Sequence, residues 1–149
     1  MAPGFDRNDL ESMEDDLMKR FDSILLLVCM AGSTLPCDHA RAITLRVDSH
    51  SRQLVSQAQT WRFFRGTEPP SMPQEAWRQV DFNDSSWGIG LAGFGFGDSD
   101  DTTLLNDMQG HYLSVYIRKD FFLDSVNVGA TVELTVDYDD GFIAYLNGR

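Results

Sequence analysis

The residues best placed to do chemistry in this 149-residue chain are acids clustered in short turns. Asp98, Asp100 and Asp101 form one group, and Asp137, Asp139 and Asp140 form another. Calcium draws several oxygen ligands from loops of this kind, so the first group is the candidate for a structural calcium site. Neither run has EF-hand spacing, which needs a Glu at the twelfth loop position. In Asp139-Asp140-Gly141, turn chemistry already accounts for the acids. The segment Gly88-Ile89-Gly90-Leu91-Ala92-Gly93 is a literal G-x-G-x-x-G. A dinucleotide site needs that motif between a strand and a helix, so that the helix N-terminus meets the pyrophosphate. Here it leads into more Gly and Phe, and it reads as a bulged strand passing beneath aromatic neighbours.

His50 and His111 lie in no metal-ligand spacing and beside no G-x-S-x-G nucleophile. Of the acids after residue 42, none is singled out as a glycosidase pair. No catalytic residue is assigned, and no cofactor is expected beyond that calcium ion. Trp61, Trp77 and Trp87 could each stack on a sugar face, but burial in a small core explains a tryptophan equally well. Trp61 and Trp87 read as core. Trp77, beside a Pro-rich loop, stays open as a ligand-binding candidate. Asn83-Asp84-Ser85 is an N-x-S sequon that reads as a turn.

The elements that must position these residues are short. Ile43–Val47 alternates apolar and polar, and Thr60–Phe64 is aromatic and strand-like. Gly66–Pro73 is a loop, Glu75–Val80 fits one helical turn, and Asp81–Ser86 is turn chemistry. Tyr112–Arg118 alternates, with Tyr112, Ser114, Tyr116 and Arg118 on one face and Leu113, Val115 and Ile117 on the other. Thr131–Tyr138 predicts a strand with Val132, Leu134, Val136 and Tyr138 inward, and Phe142–Leu146 its return strand. Asn147-Gly148 is a type I′ hairpin signal. Many short strands punctuated by turns imply an all-β sandwich or barrel.

Composition narrows the function classes. A net charge of -11 argues against nucleic acid, which requires clustered Lys and Arg. Mean hydropathy of -0.26 argues against a membrane protein. Cys29 and Cys37 both precede residue 43, so a disulfide framework or Cys-ligated zinc is excluded from the remainder.

Met18-Lys19-Arg20, the apolar run Ile24–Met30 and the small-x-small Ala40-Arg41-Ala42 read as the three regions of a helical secretory signal peptide. The apolar run is shorter than the roughly 20 residues that span a bilayer. Residues 1–17 carry six acids against Arg7. They are an upstream start error or a disordered acidic leader. Cleavage is expected after Ala42, with Ala31 as the alternative. Pro36 disfavours a lipoprotein site at Cys37. The expected layout is leader 1–17, signal 18–42, linker or first strand 43–59, and β-sandwich 60–149. The expected location is secreted, periplasmic or on the cell surface, with no membrane contact after cleavage.

The succession W-R-F-F, A-W, D-F-N-D-S-S-W, G-F-G-F-G-D and V-D-Y-D-D-G-F-I-A-Y-L-N-G, over Trp61 to Arg149, resembles the galactose-binding-like jelly-roll module of large secreted bacterial proteins. It is also similar to the sugar-binding domain of family 2 glycoside hydrolases. The resemblance implies an incomplete jelly roll, because the Asn147-Gly148 turn calls for a following strand. It further implies a non-catalytic binding or accessory module, with carbohydrate as its ligand class and with missing C-terminal domains of the same polypeptide as partners. The alternative is the structural N-terminal domain of a secreted hydrolase, a glycosidase or metallophosphoesterase, whose catalytic domain is missing. No ligand-binding residue is carried over from the family.

Overall fold

The computed structural model describes residues 21–29, 43–47, 52–56, 59–97, 101–122, 131–138 and 141–149. The described chain is all-β, with one 3₁₀ turn at Ala76–Arg78 as its only helical segment. The strands are β1 (Phe21–Cys29), β2 (Ile43–Val47), β3 (Arg52–Val55), β4 (Thr60–Arg65), β5 (Gly88–Leu91), β6 (Phe94–Gly95), β7 (Thr103–Leu104), β8 (Ser114–Phe122), β9 (Val132–Val136) and β10 (Gly141–Leu146). An antiparallel sheet runs in the order β10-β1-β8-β4-β5. A second, three-stranded sheet runs β3-β2-β9, and β6 pairs in parallel with β7.

Strand periodicity explains the sandwich-like packing. On β4 and β8 every second side chain points one way. Trp61, Phe63, Val115, Ile117 and Phe121 thereby reach a common core with Ile43 and Val55 of the second sheet and with Phe94, Leu105 and Met108. Burying a side chain of this size contributes about 1.5–3 kcal/mol. The alternate residues of the same strands, Phe64 and Tyr116, face a second cluster built on Trp77 and Trp87. The expected core roles of Trp61 and Trp87 therefore hold.

Several expectations are met locally. The 3₁₀ turn falls where one helical turn was read, and Ser85 N–H donates to the Asn83 side chain at 3.0 Å as an Asx turn. The G-x-G-x-x-G segment is strand and bend, with no helix after it. A Cβ at Gly88 would lie 2.6 Å from the Phe63 ring, so glycine lets β5 cross that ring. Asn147 and Gly148 have φ of 51° and 81°, as a type I′ turn requires. Leu146 and Arg149 exchange two backbone hydrogen bonds across it, at 3.0 and 3.1 Å.

Other expectations are corrected. Phe21–Cys29, which overlaps the expected helical signal segment, is an extended strand between β8 and β10, antiparallel to both. An apolar run of this length is compatible with strand or helix, and two strands that do not pair with each other supply its ladder partners. Phe142–Leu146 is not the return strand of Thr131–Tyr138. Instead β9 pairs with β2, and β10 pairs with β1 in the other sheet. Leu134 and Val136 pack on the core as expected, whereas Val132 and Tyr138 are exposed. β8 extends past the alternating Tyr112–Arg118 segment to Phe122.

Candidate ligand cleft

Arg118 is the chemical centre of the molecule. It lies on β8 in phase with Tyr116, on the face covered by the loop between β4 and β5, and is 1% exposed. A buried guanidinium must find acceptors for its donors. Its Nε donates to Asp84 Oδ2 at 2.9 Å, and its Nη1 donates to the carbonyls of Gln79, at 3.1 Å, and of Trp77. Its Cζ lies 5.3 Å from the centre of the Phe82 ring. One side chain thus ties the C-terminal part of the 3₁₀ turn and the Asp-rich turn to the sheet.

Arg62 of β4 stands directly opposite Arg118 in the ladder. Two facing cations repel, and Asp84 sits between them, with Oδ1 at 3.8 Å from Arg62 Nε. Arg62 also donates to the carbonyl of Trp87 at 3.4 Å. The ladder between β4 and β8 ends at this pair.

Beyond it opens a cleft of about 230 Å³. Thr60, Trp61 and Arg62 line it from β4, and Arg118, Lys119 and Asp120 from β8. Asp84 and Ile89 complete it. Lys119 Nζ donates to the Thr60 carbonyl at 2.9 Å. Burial pushes the Lys119 ammonium below the usual lysine range, against the opposing pull of Asp120. Arg118 Nη2 lies 3.9 Å from Asp120 Oδ1. The wall therefore offers cationic donors and carboxylate acceptors side by side, with the exposed side chain of Ile89 as its apolar part.

The residues singled out from sequence fall elsewhere. Trp77 is buried, and its ring meets Tyr116 and Tyr145 edge-on at 5.0 and 5.7 Å between centroids. Its ring is buried inside the aromatic cluster. Asp98 and Asp100 lie outside the described residues, as do Asp139, Asp140 and His50. The Asp101 carboxylate lies against Gly95, where a Cβ would collide with it. Among the described residues no three His, Cys, Asp or Glu side chains group as metal ligands. His111 is exposed beside the carbonyl of Gln109.

Sequence reading missed Arg62, Arg118, Lys119 and Asp120, and took Asp84 only as a turn residue. One signal was available. Arg118 is in register with Tyr112, Ser114 and Tyr116, and a charge sharing the aromatic face of a strand calls for a buried counter-charge. Comparison with family models, with curated proteins and with solved structures returns no match for this chain.

Proposed function

We propose that this chain is a non-catalytic binding module, exported and belonging to a larger extracellular protein, and that its cleft takes a small hydroxyl-rich ligand of the carbohydrate class. The observation that carries this reading is the lining beyond the Arg62–Arg118 pair, where Arg62, Arg118 and Lys119 share the wall with Asp84, Asp120 and Ile89. A sugar hydroxyl both donates and accepts, so it matches a wall that presents both partners. The C–H face of a sugar ring matches Ile89. The cleft is smaller than the roughly 300–1,000 Å³ of sites for drug-sized molecules, which suits a single sugar unit. Asp84 and Asp120 are each engaged by Arg118, an arrangement that orients acceptors. The galactose-binding-like resemblance of Trp61 to Arg149 points to the same ligand class.

Ligand-observed NMR with galactose, glucose and mannose at millimolar concentration tests the reading. Saturation transfer to at least one sugar, with affinity weakened roughly ten- to a hundredfold by Arg62→Ala through loss of a charge-assisted hydrogen bond worth about 1.5–3 kcal/mol, is expected. Absence of transfer for all three would remove the carbohydrate assignment. Export is tested separately, by fusing residues 18–60 to a reporter in a bacterial host. Retention of the reporter in the cytoplasm would overturn it.

A further inference from the structure

Donors and acceptors on the wall of the cleft are not in balance. Arg62, Arg118 and Lys119 set three cations against the two carboxylates of Asp84 and Asp120. The lining therefore carries +1, in a chain whose net charge is -11. Asp84 is already committed, with Oδ2 taking the Arg118 bond at 2.9 Å and Oδ1 facing Arg62 at 3.8 Å. Two of the cations are not. A guanidinium has five N–H donors, and among the described residues Arg62 directs one to a carbonyl, that of Trp87, at the long distance of 3.4 Å. An ammonium has three donors, and Lys119 gives one to Thr60. Trp61 supplies an independent signal. It lines the cleft and is 1% exposed, and its buried Nε1 has no hydrogen-bond partner. A buried donor left unmet is costly.

We infer that the cleft selects an acidic sugar, a hexuronic acid, whose carboxylate is taken by Arg62 and Lys119. This rests on the carbohydrate reading above and names its class. A hydroxyl brings a donor along with its acceptor sites, so neutral sugars leave the donor surplus in place. A carboxylate brings acceptors alone, and its planar shape matches the fork of an arginine. Arg62 is half-buried at the mouth of the cleft, with 35% of its side chain open to an incoming group. Lys119 is held below the usual lysine range by burial, and an ammonium disfavoured by burial gains from a counter-charge beside it. Arg118 is spent on Asp84 and on the carbonyls of Trp77 and Gln79, so it serves as wall. Asp120, with 54% of its side chain exposed, is left to accept from a ring hydroxyl. The acids elsewhere on the chain do not cancel this preference, because exposed charges are screened beyond about 8 Å at physiological salt.

The test is a titration of the full chain, followed by NMR at neutral pH, with galacturonic acid, glucuronic acid, the methyl ester of each, and cyclohexanecarboxylate. Each ester keeps the ring and hydroxyls of its acid and loses only the charge. At least one acid should bind roughly tenfold or more tightly than its own ester, the worth of one charge-assisted hydrogen bond. Lys119→Met should bring that acid-to-ester ratio down towards one. A general loss of affinity does not change the ratio, and the wild-type comparison decides alone should the variant fail to fold. Equal binding of acid and ester would overturn the acidic-sugar inference and leave the carbohydrate reading standing. Cyclohexanecarboxylate binding as tightly as the uronic acids would mark a general anion site and overturn the carbohydrate reading together with the inference. No binding by any of the five would overturn both.

Discussion

On one face of the five-stranded sheet, Trp61, Phe63, Val115, Ile117 and Phe121 meet an opposing sheet; on the other, Phe64, Tyr116 and Arg118 meet a loop. The first face is closed by the second sheet and by the turns that carry Leu105 and Met108, and it is covered by apolar side chains. The second is closed by irregular chain, in which the carbonyl of the buried Trp77 needs a donor. Arg118 supplies it, and shares the Gln79 carbonyl with the Phe82 N–H. A sheet covered by a sheet can be purely apolar, and a sheet covered by a loop needs a polar anchor.

The sharpest way to break that contrast is at the apolar face. Trp61→Ala should cost about 3–5 kcal/mol, read as a fall in the midpoint of one cooperative denaturant transition. At the polar face Arg118→Met should cost about 1.5–3 kcal/mol, the range of hydrogen bonds made by a charged group. Its signature should be local. Hydrogen exchange should accelerate in residues 77–87 while amides of β8 and β4 keep most of their protection. Equal acceleration on both faces would show that the loop and the core open together. Gly88→Ala presses a methyl onto the Phe63 ring; overpacking of this kind costs about 1–3 kcal/mol, visible as a smaller midpoint shift.

The smallest expected effect lies at a third location, where Arg65 Nε contacts Asp107 at 2.8 Å and the Tyr112 hydroxyl donates to the same carboxylate at 3.0 Å. Burial works to raise the Asp107 pKa, but the bonds from Tyr112 and Arg65 outweigh it and hold the carboxyl below its usual range. Burial and Asp107 raise the Tyr112 hydroxyl above its usual value. The depressed acid stabilises the fold above the ordinary aspartate value of about 3.9, and that contribution is lost as pH falls through the folded value. The raised phenol stabilises below about pH 10, and its contribution is lost as pH rises above that. Melting temperature against pH should therefore decline slightly at both ends, and Tyr112→Phe should flatten both declines. An unchanged profile would show the cluster to be energetically silent.

The two faces also differ in how legible they are in the sequence. Val115, Ile117, Trp61 and Phe63 announce themselves by period-two alternation, and the Asn147-Gly148 turn by residue types that tolerate positive φ. Arg118 obeys the same alternation but points to the polar cover, whose position depends on where the loop from Gly66 to Trp87 folds back. Local sequence does not carry that information. The cleft was illegible for a related reason: it arises where a ladder ends, and ladder ends are set by two distant segments at once. The hairpin expected between β9 and β10 failed because adjacency in sequence was taken for adjacency in a sheet.

The reciprocal bonds between Leu146 and Arg149 carry one directional consequence. A strand residue projects its N–H and C=O to the same side, and those of Leu146 are spent on Arg149. The ladder joining β10 to β1 must therefore run through Tyr145 and its alternates, on the opposite side. A polypeptide fused to Arg149 would be steered back along the outer margin of the sheet, antiparallel to β10. For protein engineering, that makes this end of the chain a fixed vector, and a cargo attached through a short rigid linker would inherit a defined orientation.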